Sequence, residues 1–133
     1  MGITFDAGFI IDVIRGHKSA LAKARELENR DEEQFLTTPA LFEVTSGLLF
    51  ARSRSETAAF RAYASQMPIL PFDQAAALRA AEIRVELQRS GKTKGATDVM
   101  IAGIAAQGGH VVVTCDRDFL DIGKAAGVLV ESY

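Results

Sequence analysis

The chain has 133 residues, 48% of them apolar and 24% charged, with 11 Gly and 3 Pro. That composition excludes disordered and fibrous classes and fits one domain, residues 1–133, with a substantial core. A formal net charge of −2 excludes whole-molecule attraction to nucleic acid or anionic lipid, so any such binding is local. One cysteine and two histidines exclude an internal disulfide and the usual Cys/His structural zinc sites.

Val99 to Cys115 carries no formal charge, but Gln107, Gly108, Gly109 and His110 interrupt it, well short of the ~20 apolar residues that span a bilayer. No membrane association is expected. The opening MGITFD lacks the basic start and apolar core of a signal peptide. A reducing, cytoplasmic location is the expectation.

Along the chain, residues 2–5 form a β-prone run ending at Asp6, and 9–15 read as a short helix closed by Gly16. From His17 to about Arg30 strong helix formers dominate, with Leu21, Ala24 and Leu27 at helical spacing. Residues 35–37 are β-prone, and Thr38-Pro39 supplies a cap and a first-turn proline for a helix over 39–52. Another helix is expected from Ser55 to Gln66, followed by an extended segment between Pro68 and Pro71. Asp73 caps a helix reaching Arg89, and residues 90–95 form a polar loop.

Thr97 and Asp98 open an apolar helix that ends before Gly108-Gly109. Val111–Thr114 is a continuous apolar strand of the kind buried on both faces of a parallel sheet. A helical turn over 117–122 and a strand over 128–130 complete the chain. Short apolar strands alternating with helices predict an α/β fold with three layers, a parallel sheet covered on both sides. In such sheets functional groups gather beyond the carboxyl ends of the strands.

Four carboxylates occupy those junctions: Asp6 after the first strand, Glu43 inside the helix after the second, Asp98 opening the helix over 97–107, and Asp116 after VVVT. Asp118 stands close by. A helix N-terminus alone gives such a carboxylate about 0.3–1 kcal/mol, so capping is the competing explanation for Asp6, Asp98 and Asp116. Glu43 sits too deep for a capping box, among Leu41, Phe42, Val44, Leu48 and Leu49, and has no cationic neighbour at helical spacing. Buried there, it would need a positive charge. Four converging carboxylates predict a hard divalent cation, Mg²⁺ with Mn²⁺ able to substitute, and hence phosphodiester or phosphoryl chemistry.

The segments ITFDAGFIIDVIRG, TPALFEVTSGL, ATDVMIAGIAAQGG and VVVTCDRDF resemble those of PIN-domain proteins, specifically the VapC-type toxins of bacterial toxin-antitoxin pairs. The resemblance implies a PIN-like α/β/α sandwich with five parallel strands. It implies that Asp6, Glu43, Asp98 and Asp116 form the catalytic, metal-binding pocket of a Mg²⁺-dependent endoribonuclease that hydrolyses RNA with a metal-activated water. Asp118 takes the auxiliary acidic position, and Thr114 is placed to orient that water or an aspartate. The family also implies a homodimer and a cognate VapB-like antitoxin. One departure is visible: the family usually follows its first aspartate with Thr or Ser, where this chain has Ala7, which predicts weaker orientation of Asp6.

Arg84, Arg89, Lys92 and Lys94 precede Asp98 and are candidate contacts to RNA phosphates; a solvated helix end is the alternative. Ser90-Gly91-Lys92-Thr93 is not a P-loop, since Glu86 stands where that motif needs glycine. Cys115 with His17 and His110 forms no nucleophile signature. Phe5, Phe9, Phe42, Phe50, Phe60, Phe72 and Phe119 read as core. Two other functions compete with the nuclease. A phosphoacceptor receiver also clusters aspartates, although VLVESY lacks the lysine it needs after its last strands. A catalytically idle PIN-like module that binds a protein partner is favoured only by Ala7.

Overall fold

The apolar runs become five strands, all parallel, in a computed structural model that describes residues 2–133. β1 (Ile3–Phe5) pairs with β4 (Val111–Thr114), which pairs with β5 (Val130–Ser132), in the order β1-β4-β5. β2 (Leu36–Thr37) pairs with β3 (Ile69–Leu70). A bridge from Ile3 to Gln34 joins the two sets, through Ile3 N–H to Glu33 O at 2.8 Å and Phe35 N–H to Ile3 O at 2.9 Å. The spatial order is therefore β3-β2-β1-β4-β5. A receiver has the order 2-1-3-4-5, so this topology overturns that alternative.

Helices α1 (Ala7–Ile14), α2 (Lys18–Glu28), α3 (Thr38–Phe50), α4 (Arg54–Ala64), α5 (Gln74–Arg89), α6 (Ala96–Gly108) and α7 (Asp118–Ala126) supply the crossovers of a three-layer α/β/α sandwich. Every residue of β1 and β4 is buried, as covering helices on both faces require. Phe5, Phe9, Phe119, Ile3 and Ile10 fill the centre, and the Phe5 and Phe9 rings stack at 5.0 Å.

Several boundaries differ from the sequence reading. Asp6 accepts from Phe9 N–H at 2.9 Å, so α1 starts at Ala7 rather than two residues later. Thr37, not Thr38, caps α3 by accepting from Ala40 N–H, and the Thr38 hydroxyl accepts from Phe72 N–H at 3.0 Å instead. α7 runs on to Ala126 because Gly123 packs rather than terminates: a Cβ there would lie 2.5 Å from Val130 Cγ2. Gly127, at φ +66°, ends the helix, and Val128 N–H is spent on Gly123 O at 2.9 Å. The last strand is thereby displaced from 128–130 to Val130–Ser132.

Two phenylalanines assigned to the core are not in it. Phe42 is 69% and Phe50 92% exposed, with Leu49 at 59% beside them. α3 is apolar nearly all round, and only its Pro39, Ala40, Val44 and Leu48 face is buried, which leaves the opposite apolar face uncovered.

Candidate active site

The carboxyl ends of β1 and β4 lie side by side, Phe5 opposite Val113, so Asp6 and Asp116 leave neighbouring strands in the same direction. Asp6 is the floor of the site, 5% exposed. Its Oδ1 accepts from Phe9 N–H at 2.9 Å and its Oδ2 accepts from the Thr114 hydroxyl. Thr114 Oγ1 in turn accepts from Asp116 N–H at 2.9 Å, and Asp116 Oδ1 from Asp118 N–H at 2.9 Å. One buried hydroxyl thus ties the two strand ends together. It supplies the fixing bond that Ala7 cannot, and the Thr114 hydroxyl acts on an aspartate.

Asp98 lies half-buried in the first turn of α6, without a side-chain cap bond of its own. Glu43 projects from α3 and is exposed rather than enclosed, because its apolar sequence neighbours Phe42 and Leu49 themselves point outward. Asp116 and Asp118 are exposed at the rim.

Asp98 is the residue on which the other carboxylates act. Burial, then the charges of Asp6, Glu43, Asp116 and Asp118, push the Asp98 carboxyl up to about 6. Although Glu43 as a residue is exposed, partial loss of water around its carboxyl, followed by the charge of Asp6, raises it. Asp6 is raised chiefly by burial, with Asp116 and Asp12 adding to it and the bonds from Thr114 and Phe9 opposing. Among the described residues no ion pair reaches Asp6, Glu43, Asp98 or Asp116. The donor set is therefore all oxygen, mutually repelling and without an internal cation, which fits a hard divalent ion. Among the described residues no group of three or more His, Cys, Asp or Glu side chains is already gathered closely enough to hold a metal ion; the carboxylates act on one another through space.

The expected phosphate-binding residues divide. Lys94 Nζ lies 3.0 Å from Asp118 Oδ1 and 3.2 Å from Asp121 Oδ2, and Lys92 Nζ 3.0 Å from Asp121 Oδ1. Arg84 and Arg89 make no ion pair among the described residues. Arg84 borders a cavity of about 220 Å³ with Phe72, Ala96, Val99 and Met100, beside the start of α6.

Sequence reasoning missed Asp12 and Tyr133. The Tyr133 hydroxyl donates to Asp12 Oδ2 at 2.7 Å, while His17 Nδ1 lies 3.0 Å from Asp12 Oδ1. Asp12 lies close enough to raise Asp6, and its six-residue spacing from Asp6 matches no same-face helical period, so the sequence carries no signal for it.

A parallel sheet in the order β3-β2-β1-β4-β5, with carboxylates gathered at its carboxyl end, defines an acid-pocket α/β domain. A family model described as PIN domain matches residues 3–125. The chain belongs to the PIN-domain family. It is 39% identical over 67 residues to the tRNA(fMet)-specific endonuclease VapC of Shigella flexneri, covering 50% of this chain and 51% of that protein. It is 34% identical over 95 residues to Ribonuclease VapC5 of Mycobacterium tuberculosis, covering 69% of this chain and 70% of that one. The chain spans about half the length of the Shigella flexneri and Salmonella typhimurium relatives it matches, at 51% and 52%. A chain of the DNA-bound VapBC of Salmonella typhimurium superposes with a TM-score of 0.81 at 26% identity, over 99% of this chain and 98% of that one.

Described helices include none long and apolar enough to cross a membrane.

Proposed function

We propose that this protein is a Mg²⁺-dependent endoribonuclease, the VapC-like toxin of a toxin-antitoxin pair, acting on RNA phosphodiester bonds. The observation that carries the reading is that Asp6, Glu43 and Asp116 all lie close enough to act on Asp98, with no ion pair to any of the four among the described residues. The names of the curated relatives, an endonuclease and a ribonuclease, support the same activity.

Asp6, Asp98 and Asp116, with Glu43 at the rim, would hold Mg²⁺ or Mn²⁺. Such an ion, when bound, polarises a phosphate oxygen and lowers the pKa of a coordinated water. The chain's own work is to orient. Thr114 and Phe9 N–H fix both oxygens of Asp6, and Gly8 lies against the same carboxylate, where a Cβ would stand 3.8 Å from each oxygen. Asp118 N–H fixes Asp116. Arg84 and Arg89, free of internal ion pairs among the described residues, are the cations offered to an RNA backbone.

The uncovered α3 face formed by Phe42, Leu49 and Phe50 supports association with a second copy or with a VapB-like antitoxin; the similar Salmonella typhimurium chain belongs to a VapBC complex. The test is cleavage of RNA by purified protein with Mg²⁺, with Mn²⁺ and with EDTA. Cleavage that needs the metal and disappears in Asp6→Asn and Asp98→Asn while the fold persists is expected. Cleavage retained by both variants would refute the site.

A further inference from the structure

Lys94 sits immediately before Gly95, the N-cap of α6, and four residues before Asp98. Only the N-cap Gly95 separates Lys94 from the first turn of α6, so fixing Lys94 restrains where the turn that carries Asp98 begins. Its ammonium bridges Asp118 and Asp121, which stand three apart on one face of α7, and its side chain is only 11% exposed against 44% for Lys92. Asp118 then donates its backbone N–H to Asp116 Oδ1 at 2.9 Å. A continuous chain of contacts therefore runs from the start of α6 through Lys94 and Asp118 to Asp116.

This link crosses the site where it needs reinforcement. Asp98, in the first turn of α6, and Asp116, two residues before α7, are like charges that repel each other. Lys94 opposes that through Asp118 and Asp121, without pairing with Asp98 or Asp116 itself. A phosphate could recruit Lys94 only by displacing two carboxylates from it, which sets this lysine apart from Arg84 and Arg89.

We propose that Lys94 is a positioning residue that, acting through Asp118 and Asp121, fixes Asp98 on α6 relative to Asp116 before α7. This rests on the reading of Asp98 and Asp116 as metal ligands. It replaces the expectation that Lys94 contacts RNA.

The experiment compares wild type with Lys94→Met, which keeps the aliphatic stem, Lys94→Arg, Asp121→Asn and the double variant Lys94→Met/Asp121→Asn. Three quantities are read: calorimetric Mn²⁺ affinity without RNA, amide hydrogen exchange, and kcat and KM for RNA. Lys94→Met is expected to weaken Mn²⁺ binding by about tenfold or more and to lower kcat with KM unchanged. Exchange should rise at residues 95–98 and 116–119 and stay unchanged elsewhere. Arginine should restore all three, and the double variant should be no worse than Lys94→Met. A raised KM with unchanged kcat, unchanged Mn²⁺ affinity and a shallower salt dependence would overturn the proposal in favour of a phosphate contact. Unchanged exchange at both segments would also overturn it. Wild-type protein that binds no Mn²⁺ would remove the metal-site reading itself, an outcome distinct from a variant that binds as wild type does.

Discussion

Replacing Asp98 by Asn should change stability in opposite directions with and without metal. In the folded protein the Asp98 carboxyl rises from 3.8 to about 6, first through burial and then through the four neighbouring carboxylates. At about 1.4 kcal/mol per tenfold change in proton affinity, that rise limits the penalty on its charged form to about 3 kcal/mol. Because the folded value lies above the unfolded one, the penalty is absent at low pH, where both states are protonated. It grows as pH rises through 3.8 to about 6 and is complete above that window. Metal-free Asp98→Asn should therefore be more stable than wild type at neutral pH, by about 1–3 kcal/mol, with the advantage vanishing near pH 4. Mn²⁺ at about a thousand times its Kd should reverse the ranking, since it then adds about 4.1 kcal/mol to the state that binds it. Urea denaturation in EDTA and in Mn²⁺, at both pH values, reads all four numbers. An Asn variant less stable than wild type in EDTA at neutral pH would refute the reasoning, because the carboxylate would then be stabilised by its surroundings.

Three further outcomes follow from particular contacts. Thr114→Val removes the donor to Asp6 Oδ2 and the acceptor for Asp116 N–H; thermal melts should show a loss of about 1–3 kcal/mol, and Mn²⁺ titrations a 10–100-fold weaker affinity. The Thr114 bond holds the Asp6 carboxyl down against burial, so Mn²⁺ binding by this variant should also require higher pH than wild type. Gly103→Ala should cost about 1–3 kcal/mol in urea denaturation, because a Cβ there would lie 2.7 Å from Ala76 O and 2.8 Å from Ala80 Cβ. Phe42→Ser and Phe50→Ser should leave the monomer's stability within about 0.5 kcal/mol, while light scattering should show weakened association with a second copy or an antitoxin.

Asp6, Asp98 and Asp116 were legible because short apolar strands and helix starts locate themselves by pattern, and parallel topology puts their junctions at one end. Glu43 was legible as an unpaired acid but not as an exposed one. LFEVTSGLLF is apolar on nearly every face, so periodicity does not say which side meets the core, and the same ambiguity placed Phe42 and Phe50 inside. The last strand was misplaced because VLV is β-prone throughout. Which part pairs is decided by Val128 closing onto Gly123, a contact with no sequence signature of its own. Lys94 read as a candidate phosphate contact, with a solvated helix end as the alternative, because Asp118 and Asp121 lie 24 or more residues away. Only the fold brings α7 against the loop before α6.

Anomalous diffraction from crystals soaked in Mn²⁺ tests the central claim most directly. The account predicts anomalous density bounded by the carboxylates of Asp6, Asp98 and Asp116, within reach of Glu43 and lost in Asp98→Asn. Manganese bound only elsewhere on the molecule, with these four side chains free of it, would contradict the account.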